Sequence, residues 1–170
     1  NQTAREESGA LAQQRGAFPL FAQSTLPQDK PQRNATVTTI APTGTISLIA
    51  GSSSGVEPVF AYVYIRNIMD GTEMLEVNPV LRQVLEKRGL YSQELMKRVA
   101  KEGAVSHISE IPEDIRRVFV SAHEVSPEFH VRMQAAFQRH TDNAVSKTVN
   151  FSNAATREEV AEVYTLAYRL

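Results

Sequence analysis

The stretch Pro42-Thr43-Gly44-Thr45-Ile46-Ser47 sets small hydroxyl residues around one glycine. It follows a β-branched run, Thr36-Val37-Thr38-Thr39-Ile40, and leads into an apolar run, Ile46 to Ala50. A strand-to-helix junction of this composition suits an anion. Gly44 lets a ligand approach the backbone closely and tolerates φ > 0. The first N–H groups of a helix have no intrahelical acceptor, and the helix dipole favours negative charge beside them. Thr43, Thr45 and Ser47 add hydroxyls, whereas Gly44 and Ile46 offer backbone amides alone. The exposed dipole contributes about 0.3–1 kcal/mol, and each hydrogen bond to a charged phosphate about 1.5–3 kcal/mol, so hydrogen bonds would dominate. Thr and Ser are also ordinary helix caps, and local chemistry leaves that reading open. The stretch lacks the lysine of a P-loop and is not a GxGxxG fingerprint.

Other candidates are weaker. Arg33, next to Asn34, could pair with a phosphate in bidentate fashion, but a surface loop charge is the expectation. Glu57, in Gly55-Val56-Glu57-Pro58, is expected to be a hydrogen-bonded structural carboxylate rather than a site residue. Lys147, beside Ser146 in the expected strand Ala144 to Phe151, is expected at a solvated strand edge. His107, His123, His130 and His140 have no metal-ligand spacing and are expected to be surface or half-buried residues.

The elements that must position the loop follow from periodicity and caps. A helix is expected over about 3–15, with Ala4, Leu11 and Ala12 inward and Gly16 as its stop. A buried strand is expected at Thr36–Ile40 and further strands at Ala61–Met69 and Ala144–Phe151, with a turn at Asp70-Gly71. Asn78 and Pro79 open a helix to Lys87, and a second spans Tyr91 to Lys101. Pro112 opens a short third. Ser126 caps a fourth that carries Phe129, Met133 and Phe137 on one face. Thr156 and Glu159 form a capping box for a last helix. The helices from 82 to 118 are expected to present solvated faces over a small core. The alternation points to an α/β fold, although few strands are visible.

Composition narrows the class. The 170 residues carry 18 Lys+Arg against 19 Asp+Glu, which argues against a nucleic-acid partner. With no Cys, the chain has no disulfide framework, thiolate metal site or thiol nucleophile. No apolar run approaches the roughly 20 residues that span a bilayer, so no membrane partner is expected. The chain opens at Asn1 and stops at Leu170 inside an expected helix, so the expectation is one incomplete domain, 1–170, cut from a larger protein.

The block Arg33 to Ser47, continued by Ser54-Gly55-Val56-Glu57-Pro58, resembles the late catalytic-barrel region of ribonucleotide reductases, most of all the adenosylcobalamin-dependent class. The resemblance extends to Leu11-Ala12-Gln13-Gln14-Arg15-Gly16-Ala17-Phe18-Pro19 and to Asp142-Asn143-Ala144-Val145-Ser146-Lys147-Thr148-Val149-Asn150. It is least over about 70–125, which is expected to be a peripheral helical elaboration. It implies part of a ten-stranded α/β barrel, helix-rich with few strands, and radical conversion of ribonucleotides to deoxyribonucleotides in the cytoplasm. It further implies that Thr43, Gly44, Thr45, Ile46 and Ser47 hold the substrate phosphates. The family's radical cysteine, redox cysteine pair and assisting Asn and Glu lie upstream of the matched region. An upstream reductase polypeptide is therefore the implied partner, adenosylcobalamin the implied cofactor of the assembly, and the chain alone is expected to be inactive. The alternative is a non-catalytic assembly or interaction subunit that retains barrel sequence.

Overall fold

The computed structural model describes residues 1–67 and 73–170. The expected turn at Asp70-Gly71 and the end of the strand at Met69 lie outside these residues. Helix α1, Gln2–Arg15, ends at Gly16, whose φ of 79° is the glycine stop the sequence suggests. It buries Ser8 and Ala12 rather than a broad apolar stripe, and Leu11 is only half-buried. A polar connection then leads to α2, Gly44–Ala50.

Most of the hydrophobic core lies between residues 63 and 119. Strands β1, Val63–Asn67, and β2, Glu73–Val77, pair antiparallel with Val63 opposite Val77 and Ile65 opposite Leu75. Helix α3, Pro79–Lys87, starts where the Asn78 side chain accepts from Val80 and Leu81 N–H, at 3.0 and 3.2 Å. Helix α4, Gln93–Glu102, is capped by Ser92 and ends at Gly103. Leu81 and Leu85 of α3, spaced by one turn, meet Leu95, Met96 and Val99 of α4. Ile115 of the short helix α5, Glu113–Arg116, and Phe119 close the same core. The Tyr62 and Phe119 rings meet edge-on at 5.2 Å.

Helix α6, Pro127–Gln138, is capped by Ser126, and α7, Arg157–Arg169, starts from the Thr156–Glu159 capping box. The face of α6 that carries Phe129, Met133 and Phe137 is not the one turned inward. Phe129 and Phe137 are exposed, Met133 is half-buried, and His130 and Val131 face inward instead. The cause lies in what α6 packs against. Its glutamines bond an extended segment: Gln134 Nε2 donates to Val145 O at 3.0 Å, and Gln138 Nε2 to Asn143 O at 2.9 Å. Gln138 Oε1 accepts from Val145 N–H at 3.2 Å.

The two segments expected as strands, Thr36–Ile40 and Ala144–Phe151, run side by side but form only one parallel bridge, Ile40 to Val145, among the described residues. Asn143 N–H reaches Thr38 O at 3.1 Å, and Ser146 N–H reaches Ile40 O at 2.9 Å. Thr36 and Thr39 are exposed. Parallel strands normally have neighbours on both edges and helices on both faces. Here each segment has one strand neighbour among the described residues, so β-branched composition yields extended chain rather than a sheet. The observed architecture is helix-rich with few strands.

Candidate functional site

The chain turns from the 36–40 segment into α2 through Thr43, which has φ 49° and ψ 28°. It is the one non-glycine residue with positive φ among the described residues. A side chain there costs about 1–2 kcal/mol, which the surroundings must offset. The expectation placed this freedom at Gly44. The strained residue is its neighbour, and Gly44 instead supplies room, since a Cβ on it would meet nothing within 4 Å.

Thr43 is the N-cap of α2, but its side chain does not cap. Its Oγ1 accepts from Gly55 N–H at 3.0 Å. The first bond into the helix runs from Ser47 N–H to Thr43 O, 3.0 Å. The N–H groups of Gly44, Thr45 and Ile46 therefore lack partners among the described residues, and all three residues are exposed. Ser47 differs from the other four. It is buried, and its Oγ donates to Gly44 O at 2.7 Å and meets Ser54 Oγ at 2.8 Å. It supports the loop from behind rather than presenting a hydroxyl. The structure thus brings Thr43, Gly44, Thr45 and Ile46 to one surface, with Ser47 beneath.

Behind the loop lies a network that residue-by-residue reading missed. The Lys147 side chain is 0% exposed, not solvated. Its Nζ donates to Glu57 Oε2 at 2.5 Å, to His130 Nδ1 at 2.7 Å and to the carbonyl of Thr148. An ammonium has three N–H donors, and all three are used. Glu57 Oε1 accepts from Thr148 N–H at 2.6 Å, which bears out its structural reading. His130, expected at or near the surface, is fully buried. Its Nδ1 accepts from Lys147, so Nε2 carries the proton and donates to Ala122 O at 3.1 Å. Burial, reinforced by the Lys147 charge, holds its pKa below the usual histidine range. The one available sequence signal was that Glu57 and Lys147 fall in two separate blocks of the reductase resemblance, with opposite charge.

Asp142 secures the far end of the same segments. Its Oδ2 accepts from Val37 N–H at 2.7 Å, and its Oδ1 lies 2.9 Å from Arg5 of α1. The Val37 N–H, working against burial and aided by Arg5, lowers its pKa to about 2. Arg33 is exposed, as expected, and its N–H donates to Ser8 O. Among the described residues no group of acidic, histidine or cysteine side chains is arranged to hold a metal ion. No described helix is long and apolar enough to cross a membrane.

Residues 27–170 match the family described as ribonucleotide reductase, barrel domain. The chain belongs to the ribonucleotide reductase barrel-domain family. It is 46% identical over 168 residues to a vitamin B12-dependent ribonucleoside-diphosphate reductase of Thermoplasma acidophilum, spanning 98% of this chain and 22% of that protein. It is equally identical to the enzyme of that name from Mycobacterium tuberculosis, of which it spans 24%. This segment of a reductase barrel is thus less than a quarter of the length of those relatives. The class Id ribonucleotide reductase alpha subunit of Actinobacillus ureae superposes with a TM-score of 0.78. That match covers 96% of this chain and 29% of the alpha subunit at 23% identity, and so speaks for the fold.

Proposed function

We propose that this segment holds the substrate phosphates in a vitamin B12-dependent ribonucleoside-diphosphate reductase. The observation that carries the reading is the open fan of Gly44, Thr45 and Ile46 N–H groups on an unobstructed glycine surface. A diphosphate there would accept from the three amides and from the Thr45 hydroxyl. The Thr43 hydroxyl can donate its own proton outward while still accepting from Gly55. No reacting group is required of the loop. Fixing the phosphates fixes the ribose relative to distant radical chemistry, and positioning of that kind lowers a barrier by several kcal/mol.

The whole enzyme, on this reading, replaces the ribose 2′-hydroxyl with hydrogen. The thiols for that reaction come from elsewhere in the polypeptide, because this segment has no Cys. We take the two parallel extended segments as members of a ten-stranded α/β barrel, residues 1–170 as an incomplete part of it, and about 70–125 as a peripheral helical elaboration. The cofactor is taken as adenosylcobalamin. Two open furrows, one lined by Arg5, Gly9, Gln13 and Pro31 and the other by Val131, Gln134, Gln138 and Leu170, do not include the loop. We place the cofactor with the remainder of the polypeptide and route no step through this segment. The relatives' names do not favour the alternative of a non-catalytic assembly subunit.

The test is Gly44→Val in the full-length reductase polypeptide that carries this segment. The φ of Gly44 is ordinary and space is open above it, so the fold should tolerate valine while a phosphate should not. The KM for a ribonucleoside diphosphate should rise at least about tenfold, the worth of one lost charged hydrogen bond. An unchanged KM would overturn the reading.

A further inference from the structure

The buried charges do not reach the proposed phosphate surface, yet a continuous set of bonds joins them to it. Glu57, held by Lys147, closes a turn in which its own N–H donates to Ser54 O at 2.8 Å. Ser54 Oγ then meets Ser47 Oγ, and Gly55 N–H donates to Thr43 Oγ1. Gly55 has φ 48°, and a Cβ on it would approach Ala41 O to 3.2 Å and the Ile40 side chain to 3.3 Å. The 54–57 turn is therefore seated on the end of the 36–40 segment, directly behind Thr43. Lys147 is tied to that segment by a second route, since the neighbouring Ser146 N–H donates to Ile40 O.

We propose that Glu57 and Lys147 are positioning residues for the phosphate loop, their ion pair bracing the 54–57 turn that keeps Thr43 left-handed and the Gly44–Ile46 amides convergent. This inference rests on the phosphate reading above. The physical reason is that a strained Thr43 relaxes unless its surroundings over-determine it. The surroundings here are Gly55 N–H and the Ser47–Ser54 contact, both on the turn that Glu57 closes. Without the pair the turn loosens, Thr43 moves toward an ordinary helical or extended φ, and the three N–H groups no longer point to one place. Neither charge touches the ligand. His130 completes the brace by accepting the third Lys147 proton while donating to Ala122 O, and Ala122 N–H in turn donates to Val59 O at 2.8 Å, just beyond the turn.

The experiment uses the full-length reductase with Glu57→Gln, Lys147→Met, the double variant, and Gly44→Val beside them. Binding of cytidine diphosphate, pyrophosphate and cytidine is measured for each, together with the circular dichroism spectrum. Glu57→Gln keeps the side-chain shape but faces an amide N–H₂ toward either Thr148 N–H or the ammonium. It should weaken cytidine diphosphate and pyrophosphate about tenfold and leave cytidine unchanged, a split that a general loss of structure would not produce. Equal weakening of all three ligands, or none in a folded Glu57→Gln protein while Gly44→Val still weakens diphosphate, would overturn the brace and leave the loop reading intact. No effect from Gly44→Val either would remove both. Should a single variant fail to fold, the double variant removes both charges together and is held to the same split.

Discussion

The region from Tyr62 to Phe119 and the region around the candidate loop at Thr43–Ser47 are stabilised by different physics. The first buries Leu81, Leu85, Met96, Val99 and Ile111 in one apolar core, with charged residues on the outside. The second buries few apolar side chains and relies on polar bonds: the Lys147 triad, Asp142 with Val37 and Arg5, Ser47 with Ser54, and the α6 glutamines. Several of its large apolar residues point outward. Ile49 of α2 is 82% exposed and Tyr168 of α7 is 92% exposed. A hydrophobic core tolerates small shifts because burial is non-directional, whereas a hydrogen-bonded frame holds its groups in defined directions. Presenting amides to a ligand requires the second kind of construction.

Perturbing each region in turn would sharpen or break this contrast. Leu85→Ala should have the largest effect, destabilising the 62–119 region by about 2–5 kcal/mol. Hydrogen exchange should then accelerate in α3 and α4 and stay unchanged around Gly55; acceleration everywhere would make the two regions one cooperative unit. Lys147→Met should show the inverse pattern, with faster exchange at Gly55, Ser146 and Thr148. Breaking a buried pair costs about 3–5 kcal/mol. The Glu57 side chain is 22% exposed, so the lower end of that range is expected.

Acidification should select the frame as well. His130 titrates below its unfolded value, so the unfolded chain takes up this proton first, and stability falls as pH drops below about 6.5. Asp142 adds stability above its unfolded pKa, and that contribution is lost as pH falls toward about 2. Protection of the Val37 and Ser146 amides, taken relative to their intrinsic exchange rates at each pH, should fall in these two steps, and His130→Gln should remove the first. Asn78→Ala should cost about 0.5–2 kcal/mol by unpairing the Val80 and Leu81 amides, with fraying confined to the first turn of α3. The smallest effect belongs to the surface pair Arg88–Asp114, both more than half exposed. Arg88→Ala should leave the unfolding midpoint where it was.

Local rules were legible in the chain. Asn78, Ser126 and the Thr156–Glu159 box start the helices the sequence assigns to them, and Gly16 ends α1, because a cap depends only on residues three or four positions apart. The family was legible too, since the block from Arg33 to Pro58 is specific in itself. Long-range features were not. Phe129, Met133 and Phe137 repeat at helical spacing, yet which face of α6 turns inward depends on Val145 and Asn143 accepting from its glutamines. A β-branched run becomes a sheet strand only where partners lie on its edges, so Thr36–Ile40 is extended with one bridge. Lys147 looks like any lysine in sequence, because burial of a charge is settled by what stands opposite it, and Glu57 is 90 residues away. Sequence alone therefore determined the caps, the family and the position of the candidate loop. Tertiary structure decided that Thr43 bears the strain, that Ser47 faces inward, and that an ion pair stands behind them, since the first two depend on how the 54–55 turn folds back and the third on a lysine 90 residues away.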